Sequence, residues 1–196
     1  MEKLTKKQKI RRLAESAIML ALSTILAEFA VFKLPYGGSV TLFSQLPLVV
    51  ISYRYGVKWG GFTGLVMACI QMLFGLENFS YVSGIWAYLI LIFADYIIAF
   101  GVLGLGGMFK NKIKKQSISL AVGSIVVSFI RFLCHFISGV TIWSSYAENT
   151  SVWAYSLTYN ASYMLPELII TAVGAFGIAS LFDLSSPEIK VRKAKK

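Results

Sequence analysis

The sequence predicts an all-α integral membrane protein: six transmembrane helices in a single bundle, with both termini in the cytoplasm. Three observations carry that reading. Hydrophobic residues make up 57% of the 196-residue chain and charged residues only 14%, against about 25% charged in an average soluble domain. Mean hydropathy of +0.69 shows that the apolar excess is general, so a water-soluble fold would expose apolar patches that soluble proteins avoid. The cations also cluster. Of 19 Lys and Arg, six lie between Lys3 and Arg12, two are Arg54 and Lys58, four lie between Lys110 and Lys115, and five lie between Lys190 and Lys196. Only Lys33 and Arg131 stand apart. Cations at the ends of apolar runs follow the positive-inside rule. They do not form the mixed basic and aromatic face of a nucleic-acid binder, so the net charge of +10 implies no nucleic-acid partner. A soluble enzyme and a disordered chain are excluded on the same grounds.

Six apolar runs follow in order, each measured against the roughly 20 residues that cross a bilayer: 13–32, 39–54, 56–75, 84–109, 117–141 and 161–182. Residues 1–12 form a basic N-terminal segment and 183–196 a basic tail, both suited to contact with anionic lipid. Ala27-Glu28-Phe29-Ala30 imitates a signal-peptide cleavage site, but the run before it holds Glu15 and is longer than an ordinary h-region, so it reads as a span. The second run follows the breaker Leu34-Pro35-Tyr36-Gly37-Gly38 and is short, needing support from its neighbours. With six spans, the loops at 54–58 and 110–115 fall on the same side as the termini, which puts seventeen of the nineteen cations in the cytoplasm. The outer loops are then 33–38, 76–83 and 142–160. Cys69 and Cys134 lie within apolar runs and read as small buried residues.

No P-loop, H-E-x-x-H or G-x-S-x-G motif occurs, and a single histidine cannot build a multi-histidine metal site. Asn78-Phe79-Ser80 and Asn149-Thr150-Ser151 are sequons of a kind that arises readily by chance. The informative groups are polar residues at membrane depth, where an ionisable side chain is costly and marks function by default. Asp95 sits inside the fourth run. Two readings stand for it: a structural pair with Arg131, or a carboxylate facing a cavity that takes a cation. Arg131 and His135 are four apart and share a helix face, as do Asn160, Tyr163 and Glu167. Trp143, Tyr146, Trp153, Tyr155 and Tyr159 crowd the region between. An interfacial aromatic belt explains Trp and Tyr there, but not the company of Asp95, His135, Asn160 and Glu167. Flat rings stack on such side chains and a fixed cation is favoured over their faces, so the set suits a flat, heteroaromatic, cationic solute.

The stretches His135-Phe136-Ile137-Ser138-Gly139-Val140, Trp143-Ser144-Ser145-Tyr146-Ala147 and Tyr155-Ser156-Leu157-Thr158-Tyr159-Asn160 resemble the thiamine-specific substrate-binding subunits (S-components) of energy-coupling factor transporters. So do Gly37-Gly38-Ser39-Val40-Thr41-Leu42, Leu46-Pro47, Tyr53-Arg54-Tyr55-Gly56, Asp95-Tyr96 and Tyr163-Met164-Leu165-Pro166-Glu167. The resemblance spans about residues 13–182. It implies a non-enzymatic thiamine-uptake protein of the bacterial cell membrane, with six helices and a site near the extracellular side. The implied partners are a transmembrane coupling protein and two ATPase subunits. Thiamine is the substrate, and no cofactor or metal is implied. The implied binding residues are Asp95, Tyr96, His135, Trp143, Tyr155 and Asn160. Tyr36, Tyr88, Trp86, Glu167 and Tyr163 are weaker candidates, and Tyr81, Trp86 and Tyr88 compete for one aromatic role. An uncharged His135 suits the cationic ligand. Ala17 and Ala21, a small-xxx-small pair on the first span, are the implied face for the coupling protein. The alternatives are an S-component for another vitamin or thiamine precursor, and a stand-alone proton-coupled carrier using Asp95 and His135.

Overall fold

A computed structural model describes residues 4–192. The outermost residues of both basic segments, 1–3 and 193–196, lie outside it. The order is α1 (Lys6–Glu28), β1 (Ala30–Lys33), β2 (Ser39–Thr41), α2 (Leu46–Tyr55), α3 (Val57–Phe74), α4 (Ile85–Leu103), α5 (Gln116–Thr141), α6 (Val152–Leu181), β3 (Phe182–Asp183) and β4 (Lys190–Val191). Helices dominate, as expected, but two short antiparallel ribbons, β1–β2 and β3–β4, accompany them.

Four helices, α3 to α6, are long and apolar enough to cross a membrane. The other two expected spans differ. α1 begins earlier than expected, inside the basic segment, because Thr5 and Gln8 form a reciprocal capping box. It ends at Glu28, and the rest of the first apolar run becomes β1. The run 39–54 divides into β2 and a ten-residue α2. Gly56, at φ 87°, turns the chain sharply from α2 into α3.

α2 is short because protein surrounds it. Pro47 to Tyr53 are all buried, and α1, α3, α5 and α6 pack around it. Its Leu48, Val49, Val50 and Tyr53 join Met67, Leu103, Leu120 and Val127 in the main core. A helix apolar on all sides belongs in such a place. Outward faces are apolar as well: Ile18 and Ile25, Phe62 and Leu73, Phe129 and Ile137, Ile169 and Val173 are exposed, which requires a lipid solvent. Cys69 belongs to such a face and is exposed, contrary to the expected burial.

α4 ends at Leu103, six residues before the expected boundary. Gly104, Gly106 and Gly107 open a series of turns there. Gly60 of α3 and Gly104 stand so close that a Cβ on either would strike the other's backbone, the close approach that small residues permit between membrane helices. α6 begins nine residues before the expected start, so 152–160 is helix and not outer loop.

The basic regions meet at one end of the bundle. Arg54 is bonded twice to Glu15, at 2.9 and 3.2 Å, and donates to the carbonyls of Leu184, Ser186 and Pro187. Tyr55 also donates to Glu15, at 2.5 Å. Arg11 pairs with Glu188 at 3.4 Å. The opposite end carries the β1–β2 ribbon and the connections before α4 and α6.

Candidate ligand site

A cavity of about 450 Å³ opens at the end away from the basic clusters, within the usual size range of small-molecule sites. Asp95 reaches it from an eight-residue π-helical stretch, Leu91–Ile98, inside α4. Such turns are rare and frequent at functional sites. Asp95 is 8% exposed. Its Oδ2 accepts hydrogen bonds from Ser138 Oγ at 2.6 Å and from Trp143 Nε1 at 3.2 Å. His135 Nδ1 lies 2.9 Å from Oδ1 without hydrogen-bonding alignment, so Oδ1 keeps no hydrogen-bond partner.

The alternative pairing of Asp95 with Arg131 does not form. Arg131 sits one turn before His135 on α5 and bonds Glu167 of α6 at 3.2 Å. Its guanidinium covers the Phe100 ring, 4.7 Å from the centroid. Glu167 accepts from the Thr41 backbone at 3.0 Å, from the Thr41 hydroxyl, and from Gln45 Nε2 at 2.6 Å. Ser128 in turn bonds Gln45 Oε1 at 3.0 Å. This knot ties β2 and the start of α2 to α5 and α6 below the cavity.

All six leading candidates line the one cavity: Asp95, Tyr96, His135, Trp143, Tyr155 and Asn160. Besides Trp143, whose Nε1 is spent on Asp95, two of them have committed polar atoms. Asn160 Nδ2 donates to Ser156 O at 2.9 Å and His135 O at 3.3 Å, and its Oδ1 accepts from Tyr163 at 3.0 Å. Only a lone pair on Oδ1 is left for a ligand. The Tyr96 hydroxyl donates to Gly75 O and accepts from Asn78 Nδ2, each at 3.0 Å, so it holds Asn78 in place.

The weaker candidates divide. Tyr36, Tyr163 and Glu167 line the cavity. Tyr88 is packed behind it, 6.1 Å from the Phe79 ring, and Trp86 is 76% exposed on the outer surface. Of the three competing aromatics, Tyr81 alone lines the cavity. Rotation of α4 explains this, because Leu91, Asp95 and Tyr96 take the inward face and leave Trp86 facing out.

Tyr36 occupies a larger place than its rank suggests. Its ring lies 5.5 Å from Tyr81, 6.2 Å from Trp143 and 4.4 Å from Tyr146. Its backbone is left-handed, at φ 63°, a conformation that costs about 1–2 kcal/mol. Tyr159 holds the loop in that form: its hydroxyl donates to Pro35 O and accepts from Gly38 N at 3.0 Å.

Gln71 and Asn78 line the cavity without having been expected there, and Tyr159, expected only as one of a crowd of aromatic residues, lines it too. Gln71 had a visible signal, a lone amide in an apolar helix. Asn78 drew notice only as part of a sequon. Of the seven buried side-chain atoms without a partner among the described residues, five belong to residues lining this cavity. They are Gln71 Nε2, Asn78 Oδ1, Asp95 Oδ1, Arg131 Nε and His135 Nε2. Buried polar atoms are ordinarily satisfied, so their convergence fits a polar ligand. Four carboxylates and two basic side chains line the cavity, apart from His135, a balance that favours a cation.

Residues 13–184 match the thiamine transporter protein family (Thia_YuaJ). The chain is 35% identical to thiamine transporter ThiT of Bacillus subtilis strain 168, over 91% of this chain and 93% of that one. It is 28% identical to thiamine transporter ThiT of Lacticaseibacillus paracasei, over 67% and 68% of the two chains. A solved structure of ThiT from Listeria monocytogenes superposes with a TM-score of 0.71 at 22% identity, covering 87% of this chain and 94% of that one.

Proposed function

Because this chain belongs to the thiamine transporter protein family, we propose that it is the substrate-binding membrane subunit of an energy-coupling factor importer, capturing thiamine from outside the cell. The observation that carries the reading is the cavity itself, lined by five residues that each hold a buried polar atom without a partner among the described residues and roofed by a cluster of aromatic rings. Trp143, His135 and Tyr155 supply faces for the pyrimidine and thiazolium rings. Asp95 offsets the cationic charge. Asn160 Oδ1 and Asn78 Oδ1 accept hydrogen bonds from an amino group. His135 Nε2, buried without a partner among the described residues, is a further polar atom available to the ligand.

Residues 1–196 act as a single membrane domain, with the six-helix bundle at 13–182 between the basic segments 1–12 and 183–196. The chain crosses the plasma membrane of a bacterium six times, the first pass made by α1 and the second by β2 and the protein-enclosed α2 together, with both termini in the cytoplasm and the cavity open to the outside. The gathering of basic regions at the far end supports that orientation. Transport belongs to a complex with a transmembrane coupling protein and two ATPase subunits.

Thiamine titration of the purified protein, followed by tryptophan fluorescence, tests the binding function. We expect saturable quenching by thiamine, and none by riboflavin. Riboflavin quenching without thiamine quenching overturns the substrate. Trp143→Ala is expected to weaken binding about fivefold or more, from the loss of roughly 1 kcal/mol of ring and cation contact, and to remove most of the quenching. Trp153→Ala is the control, since Trp153 packs on Phe136 away from the cavity. If it abolishes both signals, the stacking wall is wrongly assigned.

Ala17 and Ala21 are exposed on α1, which supports their use as a face for the coupling protein. Ala17→Trp is expected to leave thiamine binding unchanged and to abolish uptake by the assembled complex in vesicles. Loss of binding would mean instead that this face serves the subunit's own fold. Uptake by vesicles holding this chain alone would favour the stand-alone carrier.

A further inference from the structure

A second cleft, of about 540 Å³, lies at the basic end of the bundle. Lys110, Lys114, Lys190 and Arg192 line it with a single carboxylate, Asp183. Among the described residues, none of these four cations has a carboxylate oxygen within 4.0 Å. Asp183 stands opposite Lys190 in the β3–β4 ribbon and accepts from Ser185 N at 3.0 Å.

The cleft is built on fixed backbone. Gln116 donates to Ala179 O and Phe182 O at 2.9 and 2.7 Å and accepts from Leu184 N at 3.1 Å. Arg192 is anchored through its backbone N to Leu181 O at 2.8 Å and through Nη1 to Ala179 O at 3.2 Å, leaving further guanidinium donors free. Lys110 Nζ stands 5.1 Å from the centre of the Tyr53 ring. Its one hydrogen bond among the described residues is to Arg54 O, at 3.5 Å, and burial and the nearby Arg54 charge push its pKa down although Asp183 favours the cation, so an added anion would stabilise the charged form. Exposed apolar residues adjoin these cations: Val191 lines the cleft, Ile189 precedes Lys190 in the chain, and the Leu181 carbonyl accepts from Arg192 N. A free inorganic anion has no use for them, whereas an amphiphile does.

We propose that this cleft binds the phosphate of an anionic phospholipid headgroup, with Lys110, Lys114, Lys190 and Arg192 around the phosphate and Leu181 and Val191 against its glycerol and acyl chains. The site is independent of the ligand taken by the first cavity. It would hold one lipid against the ends of α4 and α6 and the start of α5.

Native mass spectrometry of the full chain, delipidated and then titrated with phosphatidylglycerol or phosphatidylcholine, tests the proposal. The wild type is expected to retain one phosphatidylglycerol in preference to phosphatidylcholine. Removing a cation near anionic lipid weakens attraction about fivefold, so Lys110→Gln with Arg192→Gln should reduce that preference well over tenfold. Lys6→Gln with Lys7→Gln removes the same charge from the start of α1 and should change it little. Lys114→Gln with Lys190→Gln removes two exposed cations and should match the first pair, which keeps the test valid if the partly buried Lys110 is needed for folding. Equal losses in the cleft and α1 variants would overturn the site in favour of general surface attraction. Absence of a phosphatidylglycerol preference in the wild type would also overturn it. Displacement of the lipid by an equal concentration of inorganic phosphate would assign the cleft to the free anion instead.

Discussion

Glu167→Gln is expected to destabilise the protein by about 3–5 kcal/mol, the usual cost of breaking a buried ion pair from one side. The side chains of Arg131 and Glu167 are 11% and 5% exposed, so a charge left alone there is largely desolvated. The glutamine would retain one acceptor for Thr41 while presenting an amide to the donors of Gln45 and Arg131. The check is the thermal midpoint of unfolding in detergent, compared with that of Arg131→Met combined with Glu167→Met. Removing both charges leaves no buried ion uncompensated, so the double variant should be more stable than Glu167→Gln alone. An unchanged midpoint in Glu167→Gln would mean that this pair contributes no net charge stabilisation.

The second large effect is on the ligand. Asp95→Asn should weaken thiamine binding at least tenfold, about 1.4 kcal/mol, with the fold intact by its thermal midpoint. The substitution removes the countercharge. It leaves one carbonyl oxygen, which can still accept from Ser138 and Trp143, and turns an amide donor toward His135 Nδ1. Ser138→Ala separates the two contributions, since it deletes one hydrogen bond and leaves the charge; its effect should be well below that of Asp95→Asn. Isothermal titration reads both. Unchanged affinity in Asp95→Asn would move the cation to another carboxylate, and Glu28 and Glu77 also line the cavity.

The candidate site was legible wherever its signal lay within one helix. Arg131 and His135, four apart, do share the cavity, as do Asn160, Tyr163 and Glu167. An aspartate inside an apolar run stood out because its burial is costly. Tyr36 is a weak signal in the sequence because a single aromatic in a turn reveals neither its backbone conformation nor the rings it meets. Trp86 and Tyr88 were plausible because helical spacing does not say which face of α4 turns inward, and a π-helical stretch alters that spacing.

Composition and charge placement alone determined that lipid surrounds most of this chain and that its basic segments gather at helix ends. The 3.6-residue period determined which polar residues share a face. Tertiary structure alone decided that Asp95 meets His135, Ser138 and Trp143 while Arg131 goes to Glu167. It also decided that α2 is a short core helix and that Tyr36 sits among the rings near the cavity. The physical reason is the same for all three. Contacts between elements depend on the relative depth and rotation of packed helices, set jointly by many close approaches such as that of Gly60 with Gly104, and no periodicity along a single segment encodes them.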